Sequence, residues 1–290
     1  MKRSIMHGSG SGSPTEPELA QVSASRSRRR HWGLAIAGLL LSAVAAPALD
    51  LFTLWQRPEL PLNLGAGQWA DYRRQALAQG RRTDDLLRIQ CLGRDEHGRW
   101  VLEVLPLVET QTDVFTVVPG EGLRISLTDA IADRSGGILA AVAEVRLWRD
   151  GEVRTLEGQQ WRQDPLVTAS FSGDFRPDFV EEQSATVRVI TGRELTCRQF
   201  VFAAADTQVA ESPVGRLVQA VSQEVAAAVH ADVPLLGLAY VTERLRSESW
   251  LDPPSKRRMP PPEVRVEILE CIAFGSDARP QLAPFQGRSD

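Results

Sequence analysis

The chain has 290 residues, 43% of them hydrophobic and 24% charged, the composition of an ordinary globular protein. Its net charge is −4, but residues 1–48 hold six of the 33 basic and two of the 37 acidic residues, so the remainder carries 27 against 35, a net −8. An acidic body argues against nucleic acid or an anionic bilayer as partner, because both demand a basic patch that releases counterions.

Residues 1–30 are rich in Gly, Ser and Pro and lack aromatic residues. Such a segment cannot bury enough surface to offset the entropy of ordering and reads as a disordered tail on the cytoplasmic side. Arg28, Arg29 and Arg30 then precede HWGLAIAGLLLSAVAAPALD, a basic stretch followed by an apolar run from about Gly33 to Ala45 and small-residue cleavage patterns. Residues 31–48 therefore read as a signal peptide, cleaved after Ala48. The alternative is an uncleaved inner-membrane anchor, since Trp32 to Leu49 spans 18 residues, the lower edge of a bilayer crossing. Either way the Arg cluster stays cytoplasmic and residues 49–290 cross as one β-rich domain, periplasmic or extracellular. No Cys follows the cleavage patterns, so no lipoprotein anchor is expected.

Strand signals then recur. Gln68–Leu77 opens with an aromatic pair, and Leu86–Leu92 with Arg99–Leu105 forms a hairpin around GRDEHG, with Ile89 and Cys91 on one face and Trp100, Leu102 and Val104 alternating. Residues 137–148 pair with VRTLEG across Arg149-Asp150-Gly151-Glu152, where Asp-Gly tolerates positive φ. Residues 185–192 and 195–203 form a third hairpin through Gly192-Arg193. Leu238–Leu245 and Glu263–Gly275 alternate, separated by the Pro-rich basic loop 252–262 that cannot join a ladder. Two helices are expected: residues 126–134, capped by Ser126 or Thr128, and residues 212–230, opened by Ser212-Pro213 and carrying Val214, Leu217, Val218, Val221 and Val225 at helical spacing. A strand over Glu224–His230 stays open as an alternative, because Val225 and Val229 are β-branched. The fold class is mostly β, a curved antiparallel sheet or half-barrel with one or two helices.

Candidate chemistry is sparse, and neither a catalytic residue nor a metal or cofactor site is expected. His97 sits in Asp95-Glu96-His97-Gly98, which reads as a solvated turn because consecutive turn residues rarely converge on one ion. His230 and Asp232 read as a structural or a surface pair, and Asp174–Glu182 as a solvated loop tucking Phe175 and Phe179 onto the core. No GxSxG, HExxH or phosphate-cradling Gly-rich loop occurs. Cys91, Cys197 and Cys271 match no metal spacing; one bridge plus a free thiol, or three buried thiols, are both open. What remains is shape. A sheet that curls leaves a concave side suited to an acyl chain, and the expected lining is Trp69, Trp100, Trp148, Leu235, Leu236, Leu238 and Tyr240, with Trp161 a further aromatic; plain core packing is the favoured alternative for the four tryptophans, since aromatics dominate cores. HADVPLLGLAYV (230–241) reads as a sheet corner, because Pro234 removes a ladder donor and Gly237 permits a bend.

Gly67-Gln68-Trp69-Ala70-Asp71-Tyr72, Trp100-Val101-Leu102-Glu103, Leu195-Thr196-Cys197-Arg198, Asp232–Leu238 and Ala273-Phe274-Gly275-Ser276 together resemble uncharacterised exported bacterial proteins similar to the periplasmic lipoprotein-carrier and lipoprotein-localisation half-barrels. The resemblance implies a curved sheet around a helix-lidded apolar cavity and a lipid, acyl chain or lipidated protein as partner. Three functions compete: a non-enzymatic carrier or sensor, a structural or assembly protein of the envelope with a filled core, and a hydrolase with dispersed catalytic residues.

Overall fold

The computed structural model describes Leu54 and residues 57–78, 80–132, 138–149, 151–157, 178–212, 215–252, 259 and 261–283. The chain divides into two compact units at Ala46/Pro47, and all described residues belong to the second.

Twelve antiparallel strands form one sheet: β1 (Trp69–Ala78), β2 (Arg81–Arg94), β3 (Trp100–Gln111), β4 (Val114–Val117), β5 (Gly122–Leu127), β6 (Val142–Arg149), β7 (Glu152–Glu157), β8 (Asp178–Ile190), β9 (Arg193–Ser212), β10 (Gly215–Val229), β11 (Leu238–Asp252) and β12 (Glu263–Gly275). Their spatial order is β7-β6-β5-β3-β2-β1-β12-β11-β10-β9-β8, with β4 paired to β3 off this path. Two meanders, β1–β7 and β8–β12, are thus joined along one seam, where β1 pairs with β12. The sheet is not flat. Cα atoms of β8 come within 8 Å of β11 and β12, although β10 and β9 lie between them in the ladder, as expected when right-handed twist accumulates over long strands.

The expected mostly-β curved antiparallel sheet is what forms, and its hairpins fall at β2–β3, β6–β7 and β8–β9. Two expected helices need correction. Residues 215–229 are strand β10, laddered on both sides by β9 and β11. Apolar residues at every fourth position (Leu217, Val221, Val225 and Val229) satisfy a strand face as well as a helix face, and long-range pairing decides for the strand. Over residues 126–134, β5 runs on to Leu127, and only a 3-10 turn, Asp129–Ile131, follows; Thr128 occupies the cap position without a side-chain cap bond. A single helical turn, Ile138–Ala141, stands where the second hairpin strand was expected to begin.

The end of the sheet carrying the β2–β3, β8–β9 and β10–β11 connections is closed by apolar packing. Register aligns Cys91, Leu102, Ile125 and Val145 on one face, and all four are buried in a core shared with Tyr72, Phe202, Val241 and Leu269. The connection 230–237 fills this end: Val233, Leu235 and Leu236 join the same core. Leu235 is held at φ 66, and its N–H and C=O both bond Asn63 (3.1 and 2.7 Å). Gly237 (φ 67) is obligatory, since a Cβ there would lie 2.5 Å from Pro61 Cγ. HADVPLLGLAYV is therefore a turn that plugs the sheet and enters β11 at Leu238, with a bulge at Ala228/Val229 on the neighbouring strand.

Candidate functional site: a cavity at the open end

At the opposite end the same face of the sheet is only partly covered by the described residues. Leu87 on β2, Val104 on β3, Leu123 on β5 and Leu147 on β6 continue the stripe that begins with Ile89, Leu102 and Ile125: Val104 pairs with Leu123 and Leu123 with Leu147. They line a cavity of about 650 Å³, within the range of small-molecule sites. Arg74, Asp84, Asp85, Glu121 and Arg149 stand around it, and Leu105, Trp148 and Gly122 complete its edge. An apolar floor with charges of both signs at the rim suits a ligand with a long apolar body and a polar end. Val108, two residues beyond Pro106 on β3 and 47% exposed, extends the apolar strip outward.

Arg74 ties this rim to a polar cluster at the seam. Its guanidinium lies 3.4 Å from Glu267, a β12 carboxylate that also bonds Arg265 and is 1% exposed. Directly opposite Glu267 in register stands Glu243 of β11, 2% exposed and bonded by the Gln223 side-chain amide of β10. Burial pushes the Glu243 carboxyl up to about 7, with the Glu267 charge adding to the rise and the Gln223 bond and the Arg265 and Arg74 charges opposing it.

The other face of the N-terminal meander carries a second buried polar ladder. Gln90, Glu103 and Arg124 are cross-strand neighbours, each buried. The Gln90 amide donates to Glu103 (2.7 Å) and Arg124 donates to Glu103 (2.6 Å). This ladder clasps the C-terminal segment: Glu103 accepts the Gln281 and Leu282 N–H groups (3.0 and 3.3 Å), while Gln90 and Arg124 donate to the Arg279 and Leu282 carbonyls. Leu282 then packs with Leu105 and Trp148 in a small separate core. The ion pair therefore spends its bonding capacity on backbone, as a buried charge must.

The seven residues expected to line a cavity fall in three places. Trp148 is at the cavity edge, with Arg124 stacked on its ring at 5.0 Å. Leu235, Leu236 and Leu238 lie in the closed-end core, and Trp100 and Tyr240 pack against it; Arg94 covers Trp100 (4.5 Å) and Arg188 covers Tyr240 (3.7 Å). Trp69 shares the face of Gln90, donates to Asp277 (2.7 Å) and lies under Arg88 (4.2 Å). Trp161 lies outside the described residues. Leu87, Val104, Leu123 and Leu147 are not among the expected lining, although two of them sit on stripes legible in the β2–β3 hairpin.

His97 is exposed beside Glu96, in a turn organised by Asp95, whose carboxylate accepts the His97 and Arg99 N–H groups (both 2.9 Å) and pairs with the Arg99 side chain (2.8 Å). Burial raises the Asp95 carboxyl, but these bonds and the Arg99 charge outweigh it and leave the group below its ordinary value. His230 accepts the Asp232 N–H (3.1 Å), and the Asp232 carboxylate pairs with Arg193. Residues 174–177 lie outside the described residues, and residues 178–182 are not a loop but the start of β8; Phe179 is 42% exposed there, meeting Phe200 and Phe202 with ring centroids 6.4 and 6.1 Å away. The three thiols are unbridged and buried; burial lifts Cys91 to about 11 and Cys271 to about 12, so both stay protonated near neutral pH. Among the described residues no helix is long and apolar enough to cross a membrane and no cluster could hold a metal ion; residues 31–48 lie outside them.

No protein-family model and no curated protein matches the chain. Among solved structures it is similar to a LolA superfamily protein from Nitrosomonas europaea, at 10% identity over 81% of this chain and 96% of that one, TM-score 0.26. It is also similar to a DUF1329 family protein from Desulfovibrio piger, at 11% identity over 70% of this chain and 85% of that one, TM-score 0.23. Both likenesses are loose, and it is this chain's own cavity that bears on function.

Proposed function

We propose that the protein is an exported, non-enzymatic component of the bacterial envelope that takes an apolar chain, as free lipid or as part of a lipidated protein, into the open-end cavity. The observation that carries this reading is the apolar floor of Leu87, Val104, Leu123 and Leu147 in a cavity of about 650 Å³ among the described residues, while the other end of the same face is filled. The basic-then-apolar run at residues 28–48 supports export. Trp148 contributes the edge of the cavity, and Leu235, Leu236 and Leu238 hold the end that supports it. Native mass spectrometry of protein purified from its own envelope is the test. Adducts with lipid masses, released by organic solvent, are expected; adduct-free protein that also fails to take up a fluorescent fatty acid would move the reading to an assembly protein with no ligand.

A further inference from the structure

The seam between the two meanders carries a feature that lipid binding does not use. Glu243 and Glu267 face one another across β11 and β12, both almost fully buried, where two carboxylates side by side repel. Arg74 from β1 and Arg265 from β12 serve Glu267; Glu243 is left with Gln223 from β10. Three buried polar atoms of this cluster have no hydrogen-bond partner: Glu243 Oε2, Gln223 Oε1 and Arg74 Nε. The unmet acceptor on Glu243 and the unmet donor on Arg74 are complementary, and Arg74 also borders the cavity. Beyond them in register, Asp85 stands opposite Arg74 on β2 and Val225 opposite Glu243 on β10. A half-satisfied buried network is sensitive to protonation, since its strength depends on which protons it holds.

We propose that Glu243 and Glu267, with Gln223, Arg74 and Arg265, form a proton-operated tie across the β1–β12 seam. When Glu243 is protonated, only one buried negative charge remains, shared by the two guanidinium groups, and the seam is tight. When Glu243 ionises, the two carboxylates compete for Arg74 and Arg265, and the seam loosens beside the cavity. The elevated Glu243 value places the change around neutral pH. A carboxyl raised on folding contributes stability that is complete below its unfolded value of 4.5 and is lost as pH rises through about 7.

Amide hydrogen exchange on the intact chain, compared between pH 5.5 and 8.5 after correction for intrinsic rates, tests this. Seam amides of β1 and β12 are expected to exchange roughly 10- to 100-fold faster at the higher pH, because a carboxyl one pKa unit higher in the folded chain than in the unfolded one is worth about a factor of ten. Closed-end amides of β2 and β3 stay protected. Glu243→Gln is expected to abolish the difference and hold the seam at its acid-side protection. Equal seam protection at both pH values in the unmutated chain, or a pH step that survives in Glu243→Gln, would overturn the tie. The unmutated comparison decides the matter even if the variant does not fold, and neither arm involves a ligand, so it stands apart from the lipid reading.

Discussion

The two ends of the sheet are made by the same strands, yet they have opposite characters. At the closed end the inward positions Cys91, Leu102, Ile125 and Val145 are all met by other apolar side chains, and the turn 230–237 is pressed in as a plug. At the open end the same stripe continues through Leu87, Val104, Leu123 and Leu147; the first three touch the edge of that core, and the cavity beyond them is rimmed by charged side chains. Apolar burial is thus concentrated at one end, and local stability is expected to follow it.

Substitutions can break this contrast or sharpen it, and the largest effects belong to the closed end. Leu102→Ala, at a fully buried ladder position, is expected to cost about 2–5 kcal/mol in urea unfolding, whereas Val104→Ala at the cavity is expected to cost under about 1.5 kcal/mol. Equal costs would erase the distinction. Glu103→Ala leaves Arg124 buried without its carboxylate and is expected to lose about 3–5 kcal/mol, with the Gln281 and Leu282 amides, which Glu103 accepts, losing protection from hydrogen exchange. Retention of both stability and protection would show that the clasp on the C-terminal segment is incidental. Glu243→Gln is expected to raise the midpoint of thermal unfolding at pH 8.5 by several degrees for the roughly 1–2 kcal/mol relieved, and to leave it nearly unchanged at pH 5, where the carboxyl is already protonated. The smallest effect is expected at the exposed Arg198–Glu182 pair (2.7 Å): Arg198→Ala should leave the unfolding midpoint essentially where it is.

The hairpins were legible because turn chemistry and alternation agree there: Asp95–Gly98, Asp150-Gly151 and Gly192 each separate two alternating runs. β10 was not, because valines spaced by four fit both periods and Ser212-Pro213 imitates a helix start. β4 and β5 carry too short a pattern to stand out beside the turn-like residues around them. For the site, the facing of Leu87 and Val104 follows from the stripes of Ile89, Cys91 and Leu102. Which end of that stripe stays open does not follow, since it depends on where residues 57–68 and 230–237 come to rest. Aromatic content pointed to Trp69 and Trp100, but Arg88 and Arg94 cover their rings, an arrangement set by cross-strand neighbours and short turns that only the folded ladder creates.

The central claim, that the open end is an accessible apolar cavity, is tested most directly by titrating an environment-sensitive fluorescent fatty acid into the intact protein and into Leu123→Trp. Saturable binding by the unmutated chain and at least about tenfold weaker binding by the variant, whose indole fills the floor, is the predicted result. Absence of saturable binding, or equal binding by the two proteins, would contradict it.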